Sequence, residues 1–194
     1  MDFMNDALWD GRKVRVLTVL DTCTRECVAL EVATRFTGQH VADVLTRVGV
    51  ERGLPPTITV DNGTEFTSKA LDHWAYRNGL KLDYTRRGKP TDNGFIESFN
   101  ARVRSECLSQ HYFSTIIEMK DVLKNWREDY NHHRPHSALG QRTPAEVGVL
   151  AREAMTLGSS KTSVGHPGAS STAASGRCAA ETTEDPEELA LRGA

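Results

Sequence analysis

The stretch TITVDNGTEF, residues 57–66, is a β-branched run that stops abruptly at Asp61. β-Branched residues favour a strand, and Asp-Asn-Gly is typical of the turn that follows one. A second turn signal, DNGFIESF at residues 92–99, leads directly into apolar residues at helical spacing. The two motifs predict that Asp61 closes a strand and that Glu97 opens a helix, with 35 residues between them.

The chain before this stretch predicts an antiparallel meander followed by a helix. Segments rich in apolar and β-branched residues, separated by turn signals, are expected to form strands at residues 2–8, 14–20 and 27–32. A helix is expected over residues 38–52, where apolar residues recur at helical spacing. Thr37 is a suitable N-cap for it, and Gly53 is a common helix stop.

The rest of the chain predicts alternating helices and strands, then a change of character. Helices are expected over 68–78, from about residue 93, and over 114–131, with a short strand over 80–84. This order predicts an α/β fold in which helices flank a mixed five-stranded sheet. We assign residues 1–147 to one folded domain. Residues 148–194 are mostly small, polar and aperiodic, so we expect a disordered tail.

Three carboxylates suggest a metal site. Asp2, Asp61 and Glu97 are expected to come from two strands and a helix, and such a set can hold two divalent ions that act on a phosphodiester. Between Arg77 and Arg104, seven basic residues outnumber three acids, which suits a polyanionic substrate. Each feature also has a plain structural interpretation as a turn, a helix cap or a solvated surface.

The cysteine spacing and the hydropathy of the sequence limit the class of protein and its expected location. The four cysteines, at positions 23, 27, 107 and 178, contain no Cys-x-x-Cys pair and have no histidine pair to complete a zinc site. We therefore interpret them as reduced thiols of an intracellular protein. The sequence contains no apolar run of about 18 residues and no signal peptide, so membrane insertion and secretion are not expected.

Several motifs in order carry a family resemblance. They are residues 1–3, 21–25, 60–66, 88–99, 130–140 and 143–144. In these motifs, and in the 35-residue gap, the chain resembles the catalytic core of insertion-sequence transposases with the retroviral-integrase type of DDE domain. The resemblance covers essentially residues 1–147. It departs at Cys23, where the family usually has an aromatic residue, and at the start, where the family continues upstream of Asp2. We therefore expect an N-terminally truncated core.

The resemblance implies a ribonuclease H-like fold and metal-dependent DNA cleavage and strand transfer. It implies Asp2, Asp61 and Glu97 as catalytic residues and as ligands of two Mg²⁺ or Mn²⁺ ions. The implied partners are mobile-element ends and target DNA, bound by a homo-oligomer in the bacterial cytoplasm, on the nucleoid when DNA is bound. The DNA-contacting residues expected on this basis are Arg86, Arg87, Lys89, Asn93 and Arg104.

Two alternative functions and one motif stay open. The chain is alternatively an impaired fragment that binds DNA or a full-length partner as a regulator, or a simple nuclease of ribonuclease H type. The spacing of His132 and His136 permits metal binding, but Pro135 interrupts a helix between them, which favours a polar cluster at a helix end. Arg134 is expected to pack there or to contact DNA.

Overall fold

The computed structural model describes residues 1–86 and 93–159, with side chains as far as residue 154. The strands are β1 (Asp2–Ala7), β2 (Lys13–Leu20), β3 (Cys27–Ala33), β4 (Thr57–Val60) and β5 (Lys81–Tyr84). The helices are α1 (Gly38–Arg52), α2 (Lys69–Arg77), α3 (Gly94–Glu106), α4 (Ile116–His132) and α5 (Pro144–Ser159). None of these helices is long and apolar enough to cross a membrane.

The five strands form two sheets instead of the single sheet expected from sequence. β1, β2 and β3 make an antiparallel meander in that order, and β4 pairs with β5 in parallel. The two sheets meet where the Met1 ammonium donates a 2.7 Å hydrogen bond to the carbonyl of Thr59 in β4. Apart from this contact, the described residues form no strand ladder between β1 and β4.

Helices cover both faces of the larger sheet. Val16 and Leu17 are adjacent in β2, are fully buried, and point to opposite faces. Val16 belongs to a cluster with Phe99 of α3 and Leu123 of α4. Leu17 belongs to a second cluster, which contains apolar residues of α1, α2 and β4. The near-continuous apolar sequence of β2 is explained by this burial on both sides.

Local signals in the sequence set the helix ends. The Thr37 hydroxyl accepts a hydrogen bond from the His40 N–H at 3.2 Å and caps α1, as predicted. Gly53 ends the same helix with φ of +80°, a conformation that costs glycine little. Ser68 caps α2 in the same way, accepting from the Leu71 N–H at 3.3 Å. These caps fix where α1 and α2 begin, and hence the course of the chain into and out of β4.

A buried asparagine attaches α4 to the edge of β3. The Asn131 side chain accepts from the Cys27 N–H at 2.9 Å and donates to the Cys27 carbonyl at 3.0 Å. Arg127, one turn earlier, donates to the Val28 carbonyl at 3.2 Å. These bonds replace those of a neighbouring strand, so α4 closes this edge of the sheet.

The segment after α4 is packed by ion pairs and rings. Arg134 donates to Asp129 at 2.6 Å, pairs with Glu106, and lies over the Trp126 ring. Of the two roles expected for Arg134, packing at the helix end and contacting DNA, these contacts correspond to packing. The His136 ring packs edge-on against the Tyr130 ring, with 5.1 Å between ring centroids.

The last described helix crosses the expected domain boundary. α5 runs from Pro144 to Ser159, so residues 148–159 are helical, where a disordered tail was expected. Sequence reasoning missed a usable signal for this helix, the capping box of Thr143 and Glu146. The Thr143 N–H donates to the Glu146 carboxylate at 2.8 Å, and the Glu146 N–H donates to the Thr143 hydroxyl at 3.3 Å. Residues 160–194 lie outside the described residues, so the rest of the tail assignment stays a prediction.

Candidate active site

The three candidate carboxylates belong to three different elements. Asp2 is the first residue of β1, Asp61 directly follows β4, and Glu97 is exposed in the first turn of α3. The hydrogen bond from Met1 to Thr59 sets the start of β1 against the end of β4. Asp2 and Asp61 therefore lie at the junction of the two sheets, and α3 brings Glu97 toward the same junction.

Asp2 is fixed by two hydrogen bonds, one of which comes from α3. Its Oδ1 accepts from the Phe3 N–H at 2.7 Å, and its Oδ2 accepts from Asn100 Nδ2 at 2.8 Å. Asn100 lies three residues after Glu97, so both side chains share one face of the helix. The Oδ1 atom of Asn100 is buried without a hydrogen-bond partner in the described structure. Sequence reasoning missed Asn100, although its spacing from Glu97 was a usable signal.

The negative charges of the carboxylates act on one another. Burial raises the pKa of Asp2, and the charges of Asp61 and Glu97 raise it further, against the opposing effects of the Phe3 N–H and the Met1 ammonium. Burial lowers the pKa of the Met1 ammonium to about 6, and the charges of Asp2 and Asp61 partly oppose this change. The carboxylates are thus close enough to repel, and a bound cation would relieve that repulsion.

Asp61 is held through the strand beside it. Its Oδ1 accepts from the Thr85 hydroxyl at 3.2 Å, while Asn62 Nδ2 donates to the Thr85 carbonyl at 2.8 Å. The Thr85 N–H in turn donates to the carbonyl of Val60 at 3.0 Å. The turn after β4 is therefore tied to the end of β5, which orients the Asp61 carboxylate.

Glu65, the other carboxylate of the Asp61 motif, has a structural role. It pairs with Arg15 of β2, and the Arg15 guanidinium lies 4.1 Å from the centroid of the Phe3 ring. Phe3 also stacks on Phe66, with ring centroids 4.8 Å apart. The second half of the motif thus packs the turn against β1 and β2 and leaves Asp61 as the carboxylate directed to the junction.

The donor chemistry suits a hard divalent ion, but the ligands are not gathered into a closed cage. Within residues 1–86 and 93–159, no three His, Cys, Asp or Glu side chains are grouped closely enough to hold a metal. Mg²⁺ keeps several waters and commonly binds through one or two carboxylates together with substrate phosphates. Asp2 and Asp61, with mutually repelling charges, fit that mode of binding.

The expected DNA-contacting residues have different surroundings. Arg104 lies on α3 and donates to the Asn5 carbonyl of β1 at 3.0 Å, while Arg86 is exposed just after β5. Asn93 occupies the N-cap position of α3 but makes no side-chain capping bond. Arg87 and Lys89 lie outside the described residues, so their roles stay predictions.

Replacing Asn100 with Leu should weaken divalent-metal binding by roughly 10- to 100-fold, because Asp2 loses the group that orients it. Folding should change little, since the substitution also removes the unpaired buried Oδ1. Titration calorimetry with Mn²⁺ measures the binding, and urea unfolding measures the stability. In an Asp2→Asn background the Asn100 substitution should have no further effect, and additive losses would show that Asn100 acts elsewhere.

Comparison with known protein families places the chain near insertion-element proteins. Two family profiles, both described as integrase core domain, match residues 1–90 and 78–144. An uncharacterised 31.7 kDa protein of insertion element IS407 from Burkholderia multivorans is 48% identical over 152 residues, which are 78% of this chain and 55% of that protein. Transposase InsD for insertion element IS2A/D/F/H/I/K from Escherichia coli is 31% identical over 145 residues, 71% of this chain and 48% of that protein. The chain therefore spans about half the length of these relatives.

Solved structures share the fold at low sequence identity. A chain of a simian T-cell lymphotropic virus intasome, in complex with the PP2A regulatory subunit B56 gamma, superposes with a TM-score of 0.62 at 19% identity, covering 90% of this chain and 60% of that one. The HTLV-2 integrase catalytic core domain, in complex with magnesium, gives 0.59 at 13% identity, covering 76% and 95%. The fold is therefore that of integrase catalytic cores, which is ribonuclease H-like.

Proposed function

Because the chain belongs to the integrase core domain family of insertion-element transposases, we propose that it cleaves and joins DNA strands with divalent metal ions during transposition. The observation that carries the proposal is the hydrogen bonding that joins three elements at the junction of the two sheets. Met1, next to Asp2, bonds to Thr59 of β4, and Asn100 of α3 bonds to Asp2. In open α/β folds, sites gather at the ends of strands, as Asp61 does after β4.

Asp2, Asp61 and Glu97 would hold two Mg²⁺ or Mn²⁺ ions. The HTLV-2 core of the same fold is in complex with magnesium, which supports this choice. When bound, such a pair of ions activates a water or a 3′-hydroxyl for in-line attack and stabilises the leaving oxygen. Because the attacking group is a water or a DNA hydroxyl, the chain needs no serine or tyrosine nucleophile.

The protein's own contribution is to orient the carboxylates. Asn100 and the Phe3 N–H fix both oxygens of Asp2, and Thr85 fixes one oxygen of Asp61. These partners hold two ligands in place before DNA arrives, whereas the exposed Glu97 completes the set from α3. Ligands held in place before binding give up less entropy when the ions and the phosphodiester bind.

We further propose that the two sheets act as one mixed sheet, in which β1 lies between β2 and β4. The bond from Met1 to Thr59 supports this arrangement, because it joins the free edge of β1 to β4. In a five-stranded platform of that order, Asp2 and Asp61 lie on neighbouring strands. The relative position of Asp2 and Asp61 would then be fixed by strand pairing and not by loops alone.

The proposed partners are element ends and target DNA, engaged by a homo-oligomer in the bacterial cytoplasm. The intasome that shares this fold supports assembly on DNA. The proposed contacts to the strand are Arg86 just after β5, Asn93 at the start of α3 and Arg104 on α3. Arg87 and Lys89 are proposed from the sequence alone.

Replacing Arg104 with Ala should weaken DNA binding about equally for all sequences and reduce the slope of log K against log salt by about 1, as loss of one phosphate contact does. Fluorescence anisotropy at several salt concentrations measures the slope. Arg12→Ala is the matched control, because Arg12 pairs with Asp10 in the turn at the opposite end of β1 from Asp2. An unchanged slope would mean that Arg104 does not contact a phosphate and serves only to anchor α3 on β1.

The proposed function is tested by incubating the chain with end-labelled duplex DNA in Mg²⁺, Mn²⁺, Ca²⁺ or EDTA. We expect nicked or joined products with Mg²⁺ or Mn²⁺, and none with Ca²⁺ or EDTA. DNA binding without products under any of these conditions would favour the regulatory fragment. Cleavage that does not need a divalent ion would contradict the proposal.

A further inference from the structure

Phe95 is an exposed aromatic residue at the start of α3, the helix that carries Glu97. It lies in the first turn of α3, two residues before Glu97. More than half of its surface, 56%, is exposed, although its neighbours Ile96 and Phe99 on the same helix are buried in the core. The apolar core does not contain this ring. Positions two apart on a helix point in nearly opposite directions, so Phe95 and Glu97 lie on different faces of α3. The ring is therefore available for contact at the N-terminal end of the helix that carries Glu97.

A cation covers part of this ring. The Arg25 guanidinium carbon lies 3.6 Å from the centroid of the Phe95 ring, so one ring face is covered and the exposed surface belongs to the rest. Arg25 sits in the turn between β2 and β3 with φ of +61°, a strained conformation for a residue with a side chain. Such strain is concentrated at functional sites.

Among the residues that the structure describes, no acid forms an ion pair with Arg25. Its Nη1 atom is buried and has no hydrogen-bond partner in the described structure. The adjacent carboxylate, Glu26, pairs instead with Arg52 at 2.8 Å and with Arg152 at 3.5 Å. The turn thus holds an arginine against an aromatic ring, which is a favourable cation–π contact that keeps its positive charge at the site.

We propose that Phe95, backed by Arg25, is a stacking platform for an unpaired base of the DNA strand whose phosphodiester lies at the carboxylates. This inference rests on the proposed function. Every nucleobase has a π face, so an exposed ring accepts any of them, and the arginine adds attraction for the polyanion. The turn that holds Arg25 follows the end of β2, which pairs with the start of β1 through Asp2 and Thr18. The platform and Asp2 therefore lie at the same end of the larger sheet, where a base next to the reacting phosphodiester would be placed. The platform would hold that base out of the duplex while the strand is positioned.

The platform is tested by comparing duplexes with a short single-stranded overhang, in which one overhang nucleotide at a time is made abasic. Binding is measured in Ca²⁺ at low salt, where turnover is not expected. For the wild-type chain, we expect one abasic position to weaken binding about 5-fold or more, since stacking of a base on an aromatic side chain is worth at least that. In Phe95→Ala the same position should have no effect.

Matched variants separate stacking from general damage. Phe95→Tyr keeps a ring and should keep the penalty for the abasic position, whereas Arg25→Gln should reduce it. Tyr112→Ala removes another exposed aromatic residue, which packs on Trp9 beyond the far end of β1, and should behave as wild type. An equal penalty in wild type and Phe95→Ala, or no penalty at any overhang position, would overturn the platform.

The same measurements separate failure of the platform from failure of the proposed function. If the wild-type chain cleaves DNA with Mg²⁺ but shows no base-dependent binding, the proposed function stands and the platform is wrong. If it neither binds nor cleaves DNA, both are wrong.

Discussion

Replacing Glu97 with Gln, or Asp61 with Asn, should lower the rate of Mg²⁺-dependent DNA cleavage by about 1,000-fold or more. Each substitution removes a charged oxygen ligand, and losing the roughly 4 kcal/mol of transition-state stabilisation that a bound metal supplies corresponds to such a factor. Single-turnover cleavage of labelled DNA with excess protein gives the rate without interference from product release.

Folding should survive these substitutions. The carboxylates repel one another in the absence of metal, so removing one charge leaves the free energy of unfolding unchanged or slightly higher. Glu51→Gln and Asp121→Asn are matched controls, because both residues are exposed on helices away from the junction of the sheets. They should cleave at the wild-type rate. Cleavage by Glu97→Gln within a few-fold of wild type would remove Glu97 from the site.

Replacing Asn131 with Ala should destabilise the chain by roughly 2–4 kcal/mol. The side chain is 6% exposed and makes both of its bonds to the backbone of Cys27. Truncation leaves a buried N–H and a buried carbonyl unpaired, and each costs about 1–3 kcal/mol, with partial relief if water enters. The loss is measured as a shift in the midpoint of urea unfolding, followed by circular dichroism.

A second asparagine of α4 provides the comparison. Asn125 is exposed, and Asn125→Ala should change the unfolding free energy by no more than about 0.5 kcal/mol. A similarly small change for Asn131→Ala would mean that α4 does not close the edge of β3 as the hydrogen bonds indicate. Loss of stability with unchanged metal affinity would also separate this role from that of the active site.

The features that were predicted correctly from the sequence are strand and helix ends, which neighbouring residues determine. Asp-Asn-Gly after a β-branched run correctly ended β4, and Thr37 with Gly53 bounded α1 as expected. The order of the five strands along the chain was also correct, because turn residues separate them. These features depend on a few neighbouring residues, and the spacing of apolar side chains reports them directly.

Long-range contacts could not be predicted in this way. Asn131 and Cys27 are separated by 104 positions, so the residues from Tyr130 to Gly140 were recognisable as a motif without a role. The division into two sheets, which meet at Met1 and Thr59, could likewise not be predicted, because it depends on which strand edges come together in the fold. The contact of Arg25 with Phe95 joins a turn to a distant helix, and neither residue was singled out from sequence.

The central claim is that Asp61 and Glu97, with Asp2, bind divalent metal. It is tested most directly by titrating Mn²⁺ into the wild-type chain and into the Asp61→Asn, Glu97→Gln double variant by calorimetry. We expect the wild-type chain to bind Mn²⁺ and the double variant, while folded, not to bind it. Unchanged Mn²⁺ binding by the double variant would contradict it.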